Sequence, residues 1–156
     1  MGWWTVHAER TFTDTVPAAP EQVRAFYVDL HNMKLVHPLV VSVRPTSRRQ
    51  TGDGYIESYR VRDRVRLGPL VIRISYRARL HVPAQGDVIT DARQFPGVRL
   101  RGAVTFEPSQ SGTRIIERIH ITAPRPLATV TTRQAANAHI AMLAGIRQRF
   151  QLPSVQ

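Results

Sequence analysis

The sequence predicts an α+β fold in which a seven-stranded antiparallel sheet wraps around a long C-terminal helix, with two short helices after the first strand. Three observations carry this prediction. Apolar and polar residues alternate with period two at residues 5–16 and repeatedly between 40 and 123. Apolar residues recur at helical spacing between 23 and 30, and an alanine-rich stretch without proline runs from 127 to 150. Only that last stretch is long enough to cover the apolar face of such a sheet.

The first strand and the two short helices are delimited by prolines. Along residues 5–16, Val6, Ala8, Phe12 and Val16 share the inward face. Pro17 ends the strand, and residue 20, also a proline, suits the first turn of a helix. A second helical turn over 33–36 should stop at residues 37–38, because the residue before a proline disfavours helix.

Six further strands follow at short intervals. Their predicted ranges are 40–44, 55–67, 70–82, 88–95, 98–106 and 114–122. Glycine and proline turns separate them, which is typical of an antiparallel meander. The final helix is nearly apolar all round at 140–146, so we expect it to be covered on both sides.

Composition excludes several classes of function. The 156 residues contain no cysteine, which removes thiol catalysis, thiolate metal sites and disulfides. The length suits a single domain over residues 1–156, with a core at about 4–150. No apolar run approaches the ~20 residues of a membrane span, and residues 1–12 do not read as a secretory signal. A cytoplasmic location is therefore expected.

Four short motifs, in this order, resemble a known superfamily. They are TVPAAPEQV at 15–23, FYVDL at 26–30, HPLV at 37–40 and GTRI at 112–115. Together with the element order, they resemble the helix-grip superfamily of START-like (SRPBCC) proteins, and most of all its bacterial polyketide cyclase/dehydrase-like branch. The resemblance spans roughly residues 4–150. It implies a helix-grip fold with a ligand cavity between sheet and helix, and it does not by itself specify a reaction.

Two functions remain open on this basis. The first is an intracellular carrier or binding protein for a hydrophobic small molecule, such as a lipid, a quinone or a polyketide-like ring. The alternative is a cyclase or dehydratase that uses acid/base residues in the same cavity. In that case His37, Glu57, Tyr59 and Tyr76 are the candidate catalytic residues, since their side chains titrate or donate protons.

Candidate ligand-binding residues lie on the predicted inward faces and at the cavity mouth. They are Arg10, Phe12, Phe26, Tyr27, His37, Glu57, Tyr59, Tyr76, Glu117, Ile119, Asn137 and Ala141. Arg10 and Glu117 are predicted to pair inside, because an unpaired buried charge is costly. The alternative interpretation is that these polar residues lie at the solvated, open rim of the sheet, or that they form an ion pair with a purely structural role. His139 is predicted to be a packed or surface residue of the last helix.

Other kinds of site find no support in the sequence. The spacing of the histidines and acidic residues does not fit a metal site. The nucleophile elbow, the dinucleotide fingerprint and the P-loop are all missing from the sequence. The sequence therefore predicts neither a cofactor nor a metal.

Arginine dominates the charge. Of 22 basic residues, Lys34 is the only lysine, and the net charge is +11. Nine arginines should line the convex face of the sheet, at 60, 62, 64, 66, 73, 77, 79, 99 and 101. This face could dock on an anionic membrane, or it could be a plain solvated surface. Specific nucleic-acid binding is not expected, because aromatic residues are not interleaved with the arginines. Trp3 and Trp4 could pack at the interface of a homodimer, so a homodimer remains possible.

Overall fold

Residues 4–151 are described by the computed structural model, apart from the side chain of Leu67. In chain order the elements are β1 (Thr5–Val16), α1 (Pro20–Val28), α2 (Leu30–Val36), β2 (Val40–Thr51), β3 (Gly54–Leu67), β4 (Leu70–Pro83), β5 (Val88–Gln94), β6 (Val98–Ser109), β7 (Gly112–Pro124), a 3-10 turn (Arg125–Leu127) and α3 (Ala128–Gln151). The predicted fold class and element order are confirmed.

The strands form one antiparallel sheet in the order β1-β7-β6-β5-β4-β3-β2. Strands β2 to β7 follow one another as a meander, and the last of them returns to pair with β1. The two short helices therefore carry the chain from one edge of the sheet to the other. Helix α3 packs across the concave side, mainly against β1 and β7.

Strand β2 is longer than predicted. The sequence indicated a strand over 40–44, whereas pairing with β3 continues to Thr51. The register shifts between Val40 and Ser42 and again between Pro45 and Ser47. Proline and bulges are tolerated on an edge strand because one side of it has no partner strand.

The short helices follow the local signals in the sequence. Pro20 occupies the first turn of α1. The side chain of Asp29 caps α2 by accepting a hydrogen bond from the backbone N–H of His31 at 3.0 Å. Helix α2 ends at Val36, and its C-cap residue His37 directly precedes Pro38.

The core lies between the concave face of the sheet and α3. Fully buried strand residues such as Leu80 and Ile115 pack in one cluster with Leu143 and Ile146 of the helix. The predicted inward faces of the strands are confirmed, and the arginines predicted on the convex face are exposed or half-buried. Coverage of α3 is incomplete, because Ile140 stays exposed.

Two contacts fix the position of α3 and the end of β1. Nη1 of Arg147 donates to both carboxylate oxygens of Asp14, at 2.7 and 2.8 Å. The Thr113 hydroxyl donates to the carbonyl of Ala18 at 2.7 Å. These contacts connect β1 with the helix above it and with the start of β7.

Candidate functional site

A buried carboxylate occupies the middle of the concave face. Glu117 of β7 is 1% exposed. Its Oε2 accepts a hydrogen bond from the hydroxyl of Tyr27 at 3.0 Å. Its Oε1 pairs with Nδ1 of His139, which approaches from α3. Both oxygens are therefore satisfied, as a buried charge requires.

Glu117 favours the protonated form of His139. Burial disfavours the imidazolium, but the attraction of Glu117 and its hydrogen bond outweigh that cost and raise the pKa of His139. The ring stacks on Phe12, with 6.2 Å between ring centroids. Its side chain remains 17% exposed, so one edge of the ring is accessible from outside.

His37 lies beside His139, with ring centroids 5.8 Å apart and the planes nearly perpendicular. Burial, together with the neighbouring charge on His139, lowers the pKa of His37 to about 3. Nδ1 of His37 accepts a hydrogen bond from the backbone N–H of Leu39 at 3.3 Å. The neutral ring therefore carries its proton on Nε2, so near neutral pH it offers a hydrogen-bond donor there instead of a base.

Three tyrosines extend the polar set along the concave face. Burial raises the pKa of Tyr27, Tyr59 and Tyr76, so all three hydroxyls are neutral donors. Tyr27 and Tyr76 both lie close enough to Tyr59 for electrostatic coupling. The tyrosines therefore link the Glu117 cluster with Asp63 of β3.

Asp63 is a second buried carboxyl group. Burial raises its pKa to about 6, and a hydrogen bond with Tyr76 partly opposes that shift. Its Oδ1 has no hydrogen-bond partner within the described part of the chain. Asp63 therefore titrates near neutrality and keeps an acceptor oxygen available.

Space for a ligand lies next to this polar set. A cavity of about 670 Å³ opens between the loop after α2, the end of β3 and α3. Its lining residues are Pro38, Leu39, Val40, Val41, Arg64, Val65, Arg66, Arg133, Gln134, Asn137 and Ala138. Ligand pockets of ~300–1,000 Å³ accommodate drug-sized molecules. Pro38 and Ala138, which line the cavity, are chain neighbours of His37 and His139, but the two histidines are not among the lining residues.

Deeper inside, the interior is nearly filled. A gap of about 20 Å³ remains beside Phe26, Tyr27 and Met142. That volume suits little more than one water molecule. A larger ligand therefore fits the cavity of about 670 Å³ and does not fit this gap.

The structure brings together several of the residues predicted from the sequence. Tyr27, His37 and Glu117 belong to one cluster with Phe12 beside it, and Asn137 lines the cavity. Tyr59 and Tyr76 lie on the concave face near Asp63.

The remaining predicted residues lie outside this cluster. Glu57 forms an ion pair with Arg48, with 3.4 Å between Oε2 and Nη2. Phe26 packs edge-on against Phe150, with 5.6 Å between the ring centroids. Ile119 is buried in the sheet. Ala141 is exposed on α3. Arg10 is also exposed, and its guanidinium donates to the Glu9 carbonyl at 2.7 Å.

The predicted pair between Arg10 and Glu117 is wrong. The register of β1 and β7 places Arg10 opposite Ile119, and it places Phe12 opposite Glu117. The partner of Glu117 is His139, which sequence reasoning treated as a packed or surface residue. A signal was present, because His139 precedes the buried Met142 by three residues and Ile146 by seven, which puts it on the buried stripe of α3.

Within residues 4–151, no helix combines the length and the hydropathy that crossing a membrane requires. No group of three or more histidine, aspartate or glutamate side chains in this part of the chain is arranged to hold a metal ion.

The chain belongs to the family described as polyketide cyclase / dehydrase and lipid transport, whose sequence model matches residues 5–151. A sequence search of the curated proteins gave no match. Family membership and fold together define a hydrophobic-ligand-binding or polyketide-cyclase-like domain.

Solved structures share the fold at low sequence identity. The protein TTHA0849 from Thermus thermophilus is 21% identical, with a TM-score of 0.71, over 97% of this chain and 99% of its own. The Zhui aromatase/cyclase from Streptomyces sp. R1128 is 16% identical, with a TM-score of 0.67, over 93% and 95%. A STAR-related lipid transfer protein (fragment 25–204) from Xanthomonas axonopodis is 14% identical, with a TM-score of 0.70, over 92% and 86%.

Proposed function

We propose that this protein binds a hydrophobic small molecule, such as a lipid, a quinone or a polyketide-like ring, and acts as its carrier. The observation that carries the proposal is the cavity of about 670 Å³ between the sheet and α3. Leu39, Val40 and Val65 contribute apolar surface to it, and Arg64, Arg66 and Arg133 contribute positive charge. An amphipathic ligand with one acidic group fits this combination of lining residues.

Two fluorescent probes test this proposal directly. Anilinonaphthalene sulfonate carries an acidic group, and N-phenylnaphthylamine is a neutral compound of similar shape. We expect saturable binding of both, with the sulfonate at least threefold tighter. The variant R133Q should reduce that difference without abolishing binding of the neutral probe, because Arg64 and Arg66 also line the cavity.

A matched pair of substitutions on α3 locates the binding site. Both residues are exposed, but Asn137 lines the cavity, whereas Ala141, one turn further along, is not among the lining residues. We expect N137W to weaken probe binding at least tenfold and A141W to change it less than twofold. Equal effects of the two substitutions, or the lack of saturable binding to the wild type, would overturn the proposal.

A second candidate function, acid/base catalysis on a polyketide-like substrate, is favoured by one observation. Glu117 raises the pKa of His139, and the neutral His37, whose proton is on Nε2, lies beside it. The two histidines can stabilise negative charge that develops on a carbonyl oxygen when a water molecule accepts the substrate's α-proton during enolisation. In its protonated form His139 can donate its proton to that oxygen, whereas the neutral His37 contributes a hydrogen bond only.

Turnover of a synthetic linear poly-β-ketone thioester tests the catalytic candidate. We expect cyclised product to form faster with wild type than in buffer, and H37F to lower the rate at least tenfold. The same variant should bind the neutral probe as wild type does. Probe binding without turnover would leave the carrier function and exclude cyclase activity on this substrate.

A further inference from the structure

A row of arginines crosses the convex face of the sheet. Arg44 of β2 lies opposite Arg60, which lies opposite Arg77 of β4. The row continues to Arg93 of β5 and ends at Arg99 of β6. Neighbouring strands are about 4.8 Å apart, so five guanidinium groups follow one line about 19 Å long.

Most of this charge is not neutralised by the protein. Arg99 donates two hydrogen bonds to Asp91, at 3.0 and 2.8 Å. The other four arginines of the row are exposed, and none of them forms an ion pair with a carboxylate within residues 4–151. Like charges directly opposite one another destabilise a sheet, so an external anion would relieve repulsion that the fold itself leaves in place.

The middle of the row lies in a groove. A depression of about 530 Å³ is lined by residues of β2 to β5, among them Arg60, Arg77, Arg79 and Arg93. Thr46, the extra residue of the bulge in β2, also lines it. A bulge bends its strand, and here it adds a hydroxyl group to the wall of the groove. The single acid in the lining, Asp91, accepts hydrogen bonds from Arg99 and also lies close enough to Arg93 for electrostatic attraction.

We propose that this groove binds a linear oligophosphate, with successive phosphates held by Arg60, Arg77 and Arg93. Guanidinium groups bind phosphate oxygens through paired hydrogen bonds, which suits both the charge and the shape of such a ligand. A planar membrane meets a recessed row less well than a narrow chain does. The aromatic ring in the lining, Tyr59, is buried, so no base can stack on it as single-stranded nucleic acid requires.

Calorimetric titration with inorganic tripolyphosphate in low salt tests this site. We expect saturable one-to-one binding to the wild type, weakened at least tenfold in R77Q/R93Q and at least threefold in R60Q. The matched control is R114Q/R118Q, which removes the same charge from exposed positions of β7 on the same face. This control should bind within twofold of wild type.

Thermal unfolding provides a second readout. Tripolyphosphate should raise the melting temperature of wild type and of R114Q/R118Q, and it should leave that of R77Q/R93Q unchanged. Without ligand, R77Q/R93Q should melt no lower than wild type, because the substitutions remove repulsion from exposed positions.

Three outcomes would overturn the proposal. One is an equal loss of affinity in both double variants, which would mean attraction by net charge alone. Another is no saturable binding of tripolyphosphate. The third is binding to phosphatidylserine vesicles without any affinity for the free anion, which would make this face a membrane surface. Binding of the naphthylamine probe in the cavity is independent of all three.

Discussion

The hydroxyl of Tyr27 donates a hydrogen bond to Oε2 of Glu117 at 3.0 Å, although 90 residues separate the two in the chain. Glu117 also pairs with His139, so one buried carboxylate connects α1, β7 and α3. The packing of these three elements therefore depends on the same three side chains.

Removing His139 should destabilise the protein strongly. The variant H139A leaves the Glu117 charge buried without its cation, and losing one member of a buried pair costs about 3–5 kcal/mol. E117Q/H139Q should lose less, because it leaves no unpaired charge. Chemical denaturation measures both free energies of unfolding. A loss below about 1 kcal/mol in H139A would contradict the assigned pair.

The stability of the wild type should decline as the pH rises above neutrality. The pKa of His139 is raised in the folded state, so its contribution is complete below its unfolded pKa of about 6.5 and is lost as the pH passes the folded value. The slope for one proton is at most about 1.4 kcal/mol per pH unit. Denaturation between pH 6 and 9 should show this decline in wild type and a flatter curve in H139Q. An identical slope in the two proteins would contradict the raised pKa.

Asp63 and His37 should have opposite effects on the pH dependence of folding stability below neutral pH. The folded pKa of Asp63 is about 6, so its contribution is present below its unfolded pKa and is lost as the pH rises towards 6. The folded pKa of His37 is about 3, so its contribution is present above its unfolded pKa and is lost as the pH falls.

The variant D63N separates the two effects. Wild-type stability should change little between pH 4 and 6, because the two contributions nearly cancel. In D63N the His37 contribution remains, and stability should fall on acidification by up to about 1.4 kcal/mol per pH unit. Denaturation of both proteins at several pH values checks this. A flat curve in D63N would show that His37 is not held neutral.

Gly112 should not tolerate a side chain. Its φ is +138°, and a Cβ atom there would collide with the backbone of Val16, Pro17 and Ala18. We expect G112A to cost about 3 kcal/mol or more, as for a strained backbone combined with a steric clash. The control is G52A, since nothing lies within 4 Å of a Cβ atom at Gly52. Thermal unfolding of the two variants provides the comparison, and similar melting temperatures would refute this role of Gly112.

Sequence reasoning reached the fold because the signals are local. Alternation identified the inward residues of β3 and β4, and Pro20 and Pro38 mark where helical structure begins and ends. It underestimated β2, since the polar run after Arg44 gives no alternation to follow. It also described nine outward arginines without finding that five arginines share one row, because rows depend on register between strands.

The amino-acid sequence by itself determined the order of elements, the face on which each strand residue lies and the positive convex surface, because periodicity and turn residues act over a few neighbours. Tertiary structure decided which residues meet. It paired Glu117 with His139 instead of Arg10, made His37 a neutral donor, and left the cavity beside them. These outcomes depend on strand register, on the rotation of α3 and on burial, which are set when distant segments pack together.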